Sequence, residues 1–206
     1  MERLQPTALS GRVSIQVNVL LLGPQGSGKG TQAKMLADEY GLAHISTGDM
    51  LRAAAEAGTQ LGQVAKPLMD AGQLVPDDLV VGIIRERLGE DDTHEGFVLD
   101  GFPRNIEQAD ALDEMLREIG RPLDVVFELQ LSDDIALERM TRRAEIESRA
   151  DDTPEAMRKR LETYHAETEP LVAHYRVRAS LVCIHGDRTI SEVFSELEAT
   201  LEHIRP

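Results

Sequence analysis

The sequence predicts an α/β fold of three layers, in which helices cover both faces of a five-stranded parallel sheet. Short apolar runs rich in branched residues recur along the chain, and they lack the alternation typical of strands with one exposed face. Helical segments separate these runs, and that order favours parallel pairing of the strands. The predicted strands are Val17–Leu22, Ala43–Ile45, Phe97–Leu99, Val125–Leu129 and Leu181–Ile184.

The first predicted strand runs directly into a glycine-rich segment, Gly23–Thr31, with the spacing G-x-x-x-x-G-K. Such a loop wraps a phosphate in backbone N–H groups, and Gly23, Gly26 and Gly28 allow the close approach or the positive φ that this requires. The helix that follows directs its positive end at the same anion, and Lys29 adds a mobile charge. We therefore predict a P-loop NTPase fold that binds a nucleoside triphosphate.

The residue after the lysine departs from the general pattern. Serine or threonine is usual there, and its hydroxyl meets magnesium. In this chain Gly30 follows Lys29, and Thr31 comes one position later. We therefore expect the phosphates and water to hold the metal, an arrangement that magnesium favours, and we predict no metal ligands from the protein.

Length and composition bound the remaining classes of function. A chain of 206 residues can form one main domain, and a formal net charge of −15 argues against a nucleic-acid-binding surface. Cys183 is the only cysteine, which excludes an intramolecular disulfide and a multi-cysteine zinc site. We expect a reducing, cytoplasmic location and no membrane-spanning segment. Residues 1–15 are expected to form an N-terminal extension without a signal peptide, and a short targeting or interaction role stays open.

An excursion between the second and third strands, residues 46–75, is predicted to form a mobile flap of two helices. Ser46 or Thr47 caps the first helix, and a second helix ends near Met69. Later in the chain, a helix is expected over Asp133–Arg142, followed by a charged segment and a helix that Pro154 opens.

Three motifs in order carry a resemblance to a known family: Gly23–Gln32, Ile45–Arg52 and Phe97–Arg104 with Gln108. With Ala71–Pro76 and Arg149–Thr153, they resemble adenylate kinase from about Val17 to Leu201. The resemblance implies reversible transfer of the terminal phosphoryl group of ATP to AMP, giving two ADP and serving adenine nucleotide homeostasis. It further implies a monomer that uses Mg²⁺ carried by the nucleotide, with Asp100 holding the water shell of the ion.

The resemblance also assigns residues to the AMP site. Thr47 would lie beside the adenine, Arg52 would contact the α-phosphate, and Gln108 would bind the adenine edge through its amide. Taken alone, Gln108 would be read as a solvated helix residue, and only its spacing from Arg104 favours the other interpretation. The implied AMP-binding residues are Thr47, Arg52, Gln73, Leu74, Val75, Gly101, Phe102, Pro103, Arg104, Gln108, Arg149 and Arg160.

A second set of residues is implied for ATP and for the transfer step. The implied ATP-binding residues are Gly26, Ser27, Gly28, Lys29, Gly30, Thr31, Arg143 and Gly186. The residues expected to surround the transferring group are Lys29, Arg104, Arg143, Arg149 and Arg160. Because phosphoryl transfer depends on positioning and charge neutralisation, a set of cations suits it.

Residues 142–152 resemble a lid in its short form, without the four metal-binding residues of some longer lids, so no zinc is expected. The segment Ala144–Glu147 has the character of extra helix between the arginines. Counting four residues from Arg139 favours Arg143 as the ATP contact, and Arg142 remains the alternative. The implied division of the chain is an extension at 1–15, a core at 16–45, 76–141 and 153–206, a flap at 46–75, and a lid at 142–152.

Two rival interpretations remain at this point. A UMP/CMP kinase would share the fold and the short lid, but Thr47 and Gln108 argue against it because that family usually differs at these positions. A nucleotide-sensing or scaffolding P-loop protein without turnover would require binding only. The full set of arginines around the phosphate path disfavours that second rival.

Overall fold

A computed structural model of the chain describes residues 16–147 and 153–204. In these residues, five strands form one parallel sheet in the order β2-β3-β1-β4-β5. The strands are β1 Val17–Leu22, β2 Ala43–Ser46, β3 Gly96–Asp100, β4 Val125–Gln130 and β5 Leu181–His185. The predicted α/β fold and its strands are therefore confirmed, with strand ends that differ from the predictions by at most one residue.

Helices fill the connections between the strands. Those in the described part of the chain are α1 Lys29–Tyr40, α2 Thr47–Glu56, α3 Gln60–Asp70, α4 Asp77–Leu88, α5 Ile106–Glu118, α6 Asp133–Glu147, α7 Pro154–Thr163, α8 Pro170–Arg176 and α9 Ile190–Ile204. Of the two predicted caps for α2, Ser46 is the one observed, because its hydroxyl accepts from the Asp49 N–H. A π-helical turn, Tyr164–Thr168, lies between α7 and α8.

Two apolar clusters lie on the two faces of the sheet. Leu20 and Leu99 belong to the cluster that includes residues of α4, α5 and α8. Val19 and Leu21 belong to the cluster that includes residues of α1 and α9. Successive strand residues point to opposite faces and both faces are buried, so β1 carries a single polar residue, the buried Asn18, and its sequence does not alternate.

Helix α6 continues beyond its predicted end at Arg142 and reaches Glu147, so the predicted extra helix over Ala144–Glu147 is confirmed. No glycine or proline interrupts residues 133–147, which explains why the helix does not stop at Arg142. The predicted extension at 1–15 and the remainder of the predicted lid, residues 148–152, lie outside the described residues. Within 16–147 and 153–204, no helix is long and apolar enough to cross a bilayer.

Candidate functional site

Three strands end at the same edge of the sheet. Asp100, the last residue of β3, is in register with Leu21 on one side and with Ser46 on the other. The glycine-rich loop after β1, the flap after β2 and the turn Gly101–Arg104 therefore leave the sheet together. They line one cavity with a volume of about 690 Å³, to which α6 and α7 also contribute.

The glycine-rich loop has the backbone that the sequence predicts for phosphate binding. Gly23 has φ 139°, and a Cβ there would lie 2.5 Å from the carbonyl oxygen of Leu129. Gly28 has φ 97° and begins α1 without a side-chain cap, so the first N–H groups of α1 face the cavity without a capping side chain. This end of α1 is suited to an anion, which the N–H groups and the helix dipole both attract.

Lys29 lies on this loop, partly buried, with its ammonium group held by backbone carbonyls. Its Nζ donates to the carbonyl oxygen of Gly23 at 2.6 Å and to that of Pro24 at 2.7 Å. Burial lowers the pKa of Lys29 to about 8, and the positive charges of Arg104 and Arg143 act in the same direction, while Asp100 opposes them. The charge of Lys29 is thus only weakly balanced by the protein, and a phosphate would stabilise it.

Asp100 is one of two carboxylates that line this cavity among the described residues, and the other, Asp49, pairs with Arg52. Burial acts to raise the pKa of the Asp100 carboxyl group, but His44, Lys29 and Arg104 outweigh burial and hold the pKa below the ordinary value. His44 Nε2 lies 3.8 Å from Asp100 Oδ2. A Cβ at Gly30 would lie 3.4 Å from the same oxygen, so the Asp100 carboxylate occupies the space beside Gly30. The sequence pattern gave no indication of His44.

Arg52, Arg104 and Arg160 line the same cavity. Burial lowers the pKa of Arg104, Asp100 opposes this, and the charges of Arg160 and Arg52 lower the pKa further, so both of these arginines lie close enough to act on Arg104. The carbonyl oxygen of Gly101 accepts from Arg104 Nε and from Thr47 Oγ1, both at 2.8 Å. The flap and the turn after β3 are therefore joined beside a concentration of positive charge that suits an anionic group.

Gln108 is buried, and each end of its amide makes one hydrogen bond, so its interpretation as a solvated helix residue is wrong. Only 1% of the surface of Gln108 is exposed. Its Oε1 accepts from the backbone N–H of Arg104 at 2.8 Å, and its Nε2 donates to Asp77 Oδ1 at 2.7 Å. Asn105 also donates to Asp77. Sequence reasoning missed Asp77 and Asn105, which together fix the orientation of the Gln108 amide.

Helix α6 contributes arginines from one of its faces. Arg139 Nη1 donates to the carbonyl oxygen of Gly186 at 2.7 Å, which connects α6 to the loop after β5. Arg143, four residues further along α6, is partly buried and lies close enough to Lys29 to lower its pKa. Arg142 also borders the cavity but is exposed. Sequence reasoning used Arg139 only to count positions, although its spacing from Arg143 already placed both on one helix face.

Most of the predicted site residues line this one cavity. They are Gly26, Ser27, Gly28, Lys29, Gly30, Thr31, Thr47, Arg52, Gln73, Leu74, Val75, Gly101, Pro103, Arg104, Gln108, Arg143, Arg160 and Gly186. Phe102 is an exception: it is 1% exposed and packs in the core, while Pro103 and Arg104 line the cavity, so its place in the AMP site stays a prediction. Arg149 lies outside the described residues.

The π-helical turn Tyr164–Thr168 contributes two further residues that sequence reasoning missed. Tyr164 and Thr168 both line the cavity. Thr168 Oγ1 donates to the backbone carbonyl of Arg104 at 2.7 Å. The turn between α7 and α8 therefore holds the backbone carbonyl of Arg104, while Gln108 on α5 holds the backbone N–H of Arg104.

Comparisons with known proteins agree on one family. A family model described as "Adenylate kinase" matches residues 21–180 of the chain. An adenylate kinase of Parvibaculum lavamentivorans is 50% identical over 188 residues, covering 90% of this chain and 92% of the relative. One of Stenotrophomonas maltophilia is 47% identical over 186 residues, covering 90% of this chain and all of the relative. One of Methanosarcina barkeri is 43% identical, covering 90% of this chain and 99% of the relative.

Proposed function

The chain belongs to the adenylate kinase family and transfers phosphoryl groups between adenine nucleotides, and we propose how its own residues divide the two substrates. One observation carries the proposal: the phosphate-binding loop and the cluster of Arg52, Arg104 and Arg160 line a single cavity. Lys29 and Asp100 line the same cavity, close enough to Arg104 for the three charges to act on one another.

ATP binds on the loop side of the cavity. The N–H groups of residues 26–31 surround its phosphates, and Lys29 leaves the carbonyls of Gly23 and Pro24 to meet the outer phosphates. Arg143 approaches the same phosphates from α6. Gly186 presents its backbone to the adenine, and Arg139 holds the Gly186 loop in place.

AMP binds on the flap side, where the arginines converge. Arg52, Arg104 and Arg160 neutralise its phosphate, with Arg149 joining them from the lid. Thr47 and the backbone of Gln73–Val75 border the base and ribose, and they line this side of the cavity. Gln108 reaches the adenine edge through its amide, which Asp77 and Arg104 hold in one orientation.

Transfer then takes place directly between the nucleotides. An oxygen of the AMP phosphate attacks the γ-phosphorus of ATP, the bond to the β–γ bridging oxygen breaks, and both products are ADP. The cations of Lys29, Arg104, Arg143, Arg149 and Arg160 neutralise the equatorial oxygens during this step. No residue forms a covalent intermediate. Closure of the lid and flap excludes water, which would otherwise accept the phosphoryl group.

The residues present fit the magnesium ion that such a reaction uses. Asp100 is ionised at neutral pH because its pKa is lowered, and its carboxylate lies beside Gly30 at the start of α1, where the phosphates are expected. We infer that Asp100 would accept hydrogen bonds from water molecules of a hydrated Mg²⁺, because Mg²⁺ usually keeps several of its water ligands when it binds to proteins. The ion supplies charge neutralisation to the β- and γ-phosphates. We propose that the chain acts as a cytoplasmic monomer on ATP, AMP and ADP, with no zinc cofactor in catalysis and no nucleic acid or membrane partner.

A single assay tests the base assignment and the transfer together. Purified protein is mixed with ATP and Mg²⁺, and with AMP, CMP or UMP in turn, and the diphosphate products are measured. We expect ADP from AMP and far slower product formation from CMP and UMP. Comparable rates for the three monophosphates would overturn the proposed roles of Thr47 and Gln108. Hydrolysis of ATP to ADP and inorganic phosphate, with no AMP consumed, would overturn the AMP site.

A further inference from the structure

Away from the nucleotide cavity, three potential metal ligands meet where α5 packs against α8. Asp110 and Asp113 lie on α5, and His174 lies on α8. One ligand atom from each of the three side chains lies within 4.8 Å of the other two. None of these residues lines the nucleotide cavity, and the phosphoryl-transfer reaction gives them no role.

The spacing of these atoms suits a small divalent cation. Asp110 and Asp113 are three positions apart and therefore share a helix face. His174 Nε2 lies 3.3 Å from Asp113 Oδ2, and the side chain of His174 is 3% exposed. Two ligands that are each about 2.1 Å from one metal ion lie roughly 3.0–3.4 Å apart in octahedral or tetrahedral geometry. Asp110 is exposed, so rotation of its side chain can bring its carboxylate to the same ion.

A second observation at this place is a buried hydroxyl group without a partner. Tyr175 is 1% exposed, and its hydroxyl oxygen has no hydrogen-bond partner among residues 16–147 and 153–204. Tyr175 and Asp113 line the same second cavity, of about 390 Å³, between the end of α5 and the end of α8. Burial raises the pKa of Tyr175, and the nearby carboxylates of Asp113 and Asp110 raise it further. A water molecule bound to a cation would give this hydroxyl the partner that it lacks.

We propose that Asp110, Asp113 and His174 bind a divalent first-row transition metal ion, and that a water ligand of this ion bonds to the Tyr175 hydroxyl. The imidazole selects such an ion over Mg²⁺ or Ca²⁺, which prefer sites made of oxygen ligands alone. The bound ion joins α8 to α5 through residues that do not line the nucleotide cavity. Its effect is therefore on the stability of the chain and not on turnover.

A second histidine with two carboxylates provides the contrast. His165 contacts Glu169 through Nδ1 and Asp133 through Nε2, each at 2.9 Å. Because the two ring nitrogens point in different directions, these carboxylates do not converge on one position. The cluster around His165 is therefore an exposed pair of ion pairs, and it serves as an internal control for metal binding.

The test is titration of the untagged full chain with Co²⁺, without nucleotide and with excess Mg²⁺ present. We expect visible d–d absorption bands that saturate with one equivalent and that Zn²⁺ displaces. Asp110→Asn and Asp113→Asn should weaken Co²⁺ binding at least about tenfold. Loss of a residue that only hydrogen-bonds to a ligand already weakens metal binding by about that factor, and these variants remove a ligand itself. Glu114→Gln, which removes a charge from the same helix, and His165→Asn should bind Co²⁺ like the unaltered chain.

The Tyr175 hydroxyl is tested with Tyr175→Phe. We expect roughly tenfold weaker Co²⁺ binding, as for the loss of an outer-shell partner, while the metal-free melting temperature stays the same or rises. Because Asp110 is exposed, its asparagine variant should fold even if changes at the buried His174 do not. Absence of saturable bands in the unaltered chain, or equal binding by Asp110→Asn and Glu114→Gln, would leave only a His174–Asp113 ion pair and overturn the site.

Discussion

The side-chain amide of Gln108 donates a hydrogen bond to Asp77 at 2.7 Å, while its carbonyl oxygen accepts from the Arg104 backbone at 2.8 Å. One side chain thus joins the start of α4 to the turn that presents Arg104. We predict that Gln108→Leu lowers kcat/KM for AMP roughly ten- to a hundredfold, because a lost polar partner costs on the order of 1–3 kcal/mol. The KM for ATP should change little, which steady-state kinetics with each nucleotide varied will measure.

The comparison with Asp77→Ala separates base contact from orientation. This variant removes the partner of the Gln108 amide but leaves the amide itself. We expect Asp77→Ala to lower kcat/KM for AMP while keeping the preference for AMP over CMP, which Gln108→Leu should lose. Equal losses for AMP and ATP in Gln108→Leu would place Gln108 outside the AMP pocket.

Lys29 should be essential for turnover and dispensable for folding. Its ammonium lies at the mouth of the phosphate-binding loop, held only by two backbone carbonyls and near Ser27. We expect Lys29→Met to lower kcat about a hundredfold or more, the scale of one preorganised contact to the transition state. The matched control is Lys159→Met, an exposed lysine paired with Glu162. Near-normal turnover in Lys29→Met would contradict the assignment of the loop.

The lowered pKa of Lys29 also predicts a dependence of stability on pH. Its pKa is about 8 in the folded chain and 10.5 ordinarily, so the unfolded chain binds more protons between these values. The cost of the buried charge is full below pH 8 and declines as the pH rises towards 10.5. We therefore expect the unaltered chain to gain stability relative to Lys29→Met between pH 7 and pH 10, as measured by urea unfolding. A difference that stays constant with pH would mean that the pKa is not lowered.

Catalysis should need magnesium, and folding should need no zinc. Cys183, the only cysteine, contacts Glu128 on the neighbouring strand and has no second thiol with which to bind zinc. We expect EDTA to stop ADP formation and added Mg²⁺ to restore it, while a zinc-selective chelator leaves the melting temperature unchanged. A drop seen in the unaltered chain but not in Asp110→Asn would come from the site between α5 and α8. A drop in both would contradict a zinc-free fold.

Sequence reasoning succeeded where one local pattern determines the structure. The strand positions followed from apolar runs, and the loop followed from glycines whose φ values L-residues rarely adopt. The contacts it missed join distant segments: Asp77 lies 31 residues from Gln108, and Arg139 lies 47 residues from Gly186. No spacing within one element encodes such pairs, because the packing of separate elements creates them. Phe102 packs in the core beside two residues that line the cavity, because a motif fixes a backbone path without fixing which side chains face the core.

The lid prediction concerns Arg142, Arg143 and Arg149. Because α6 continues through Ala144–Glu147, adjacent arginines on it point about 100° apart, and only one of the first two can face the phosphates. Arg143 is partly buried and close enough to lower the pKa of Lys29, whereas Arg142 is exposed. We therefore expect Arg143→Ala to be strongly impaired and Arg142→Ala to be nearly normal. Arg149, outside the described residues, is expected to behave like Arg143.

The kind of impairment is as informative as its size. An arginine that meets the phosphates only when the lid closes stabilises the closed, reacting state more than the open one. Arg143→Ala and Arg149→Ala should therefore lower kcat more than they weaken ATP binding to the open enzyme. Single-turnover rates and ATP dissociation constants for the three alanine variants measure both quantities. A normal Arg143→Ala beside an impaired Arg142→Ala would shift the register by one residue, and three normal variants would mean that closure depends on other residues.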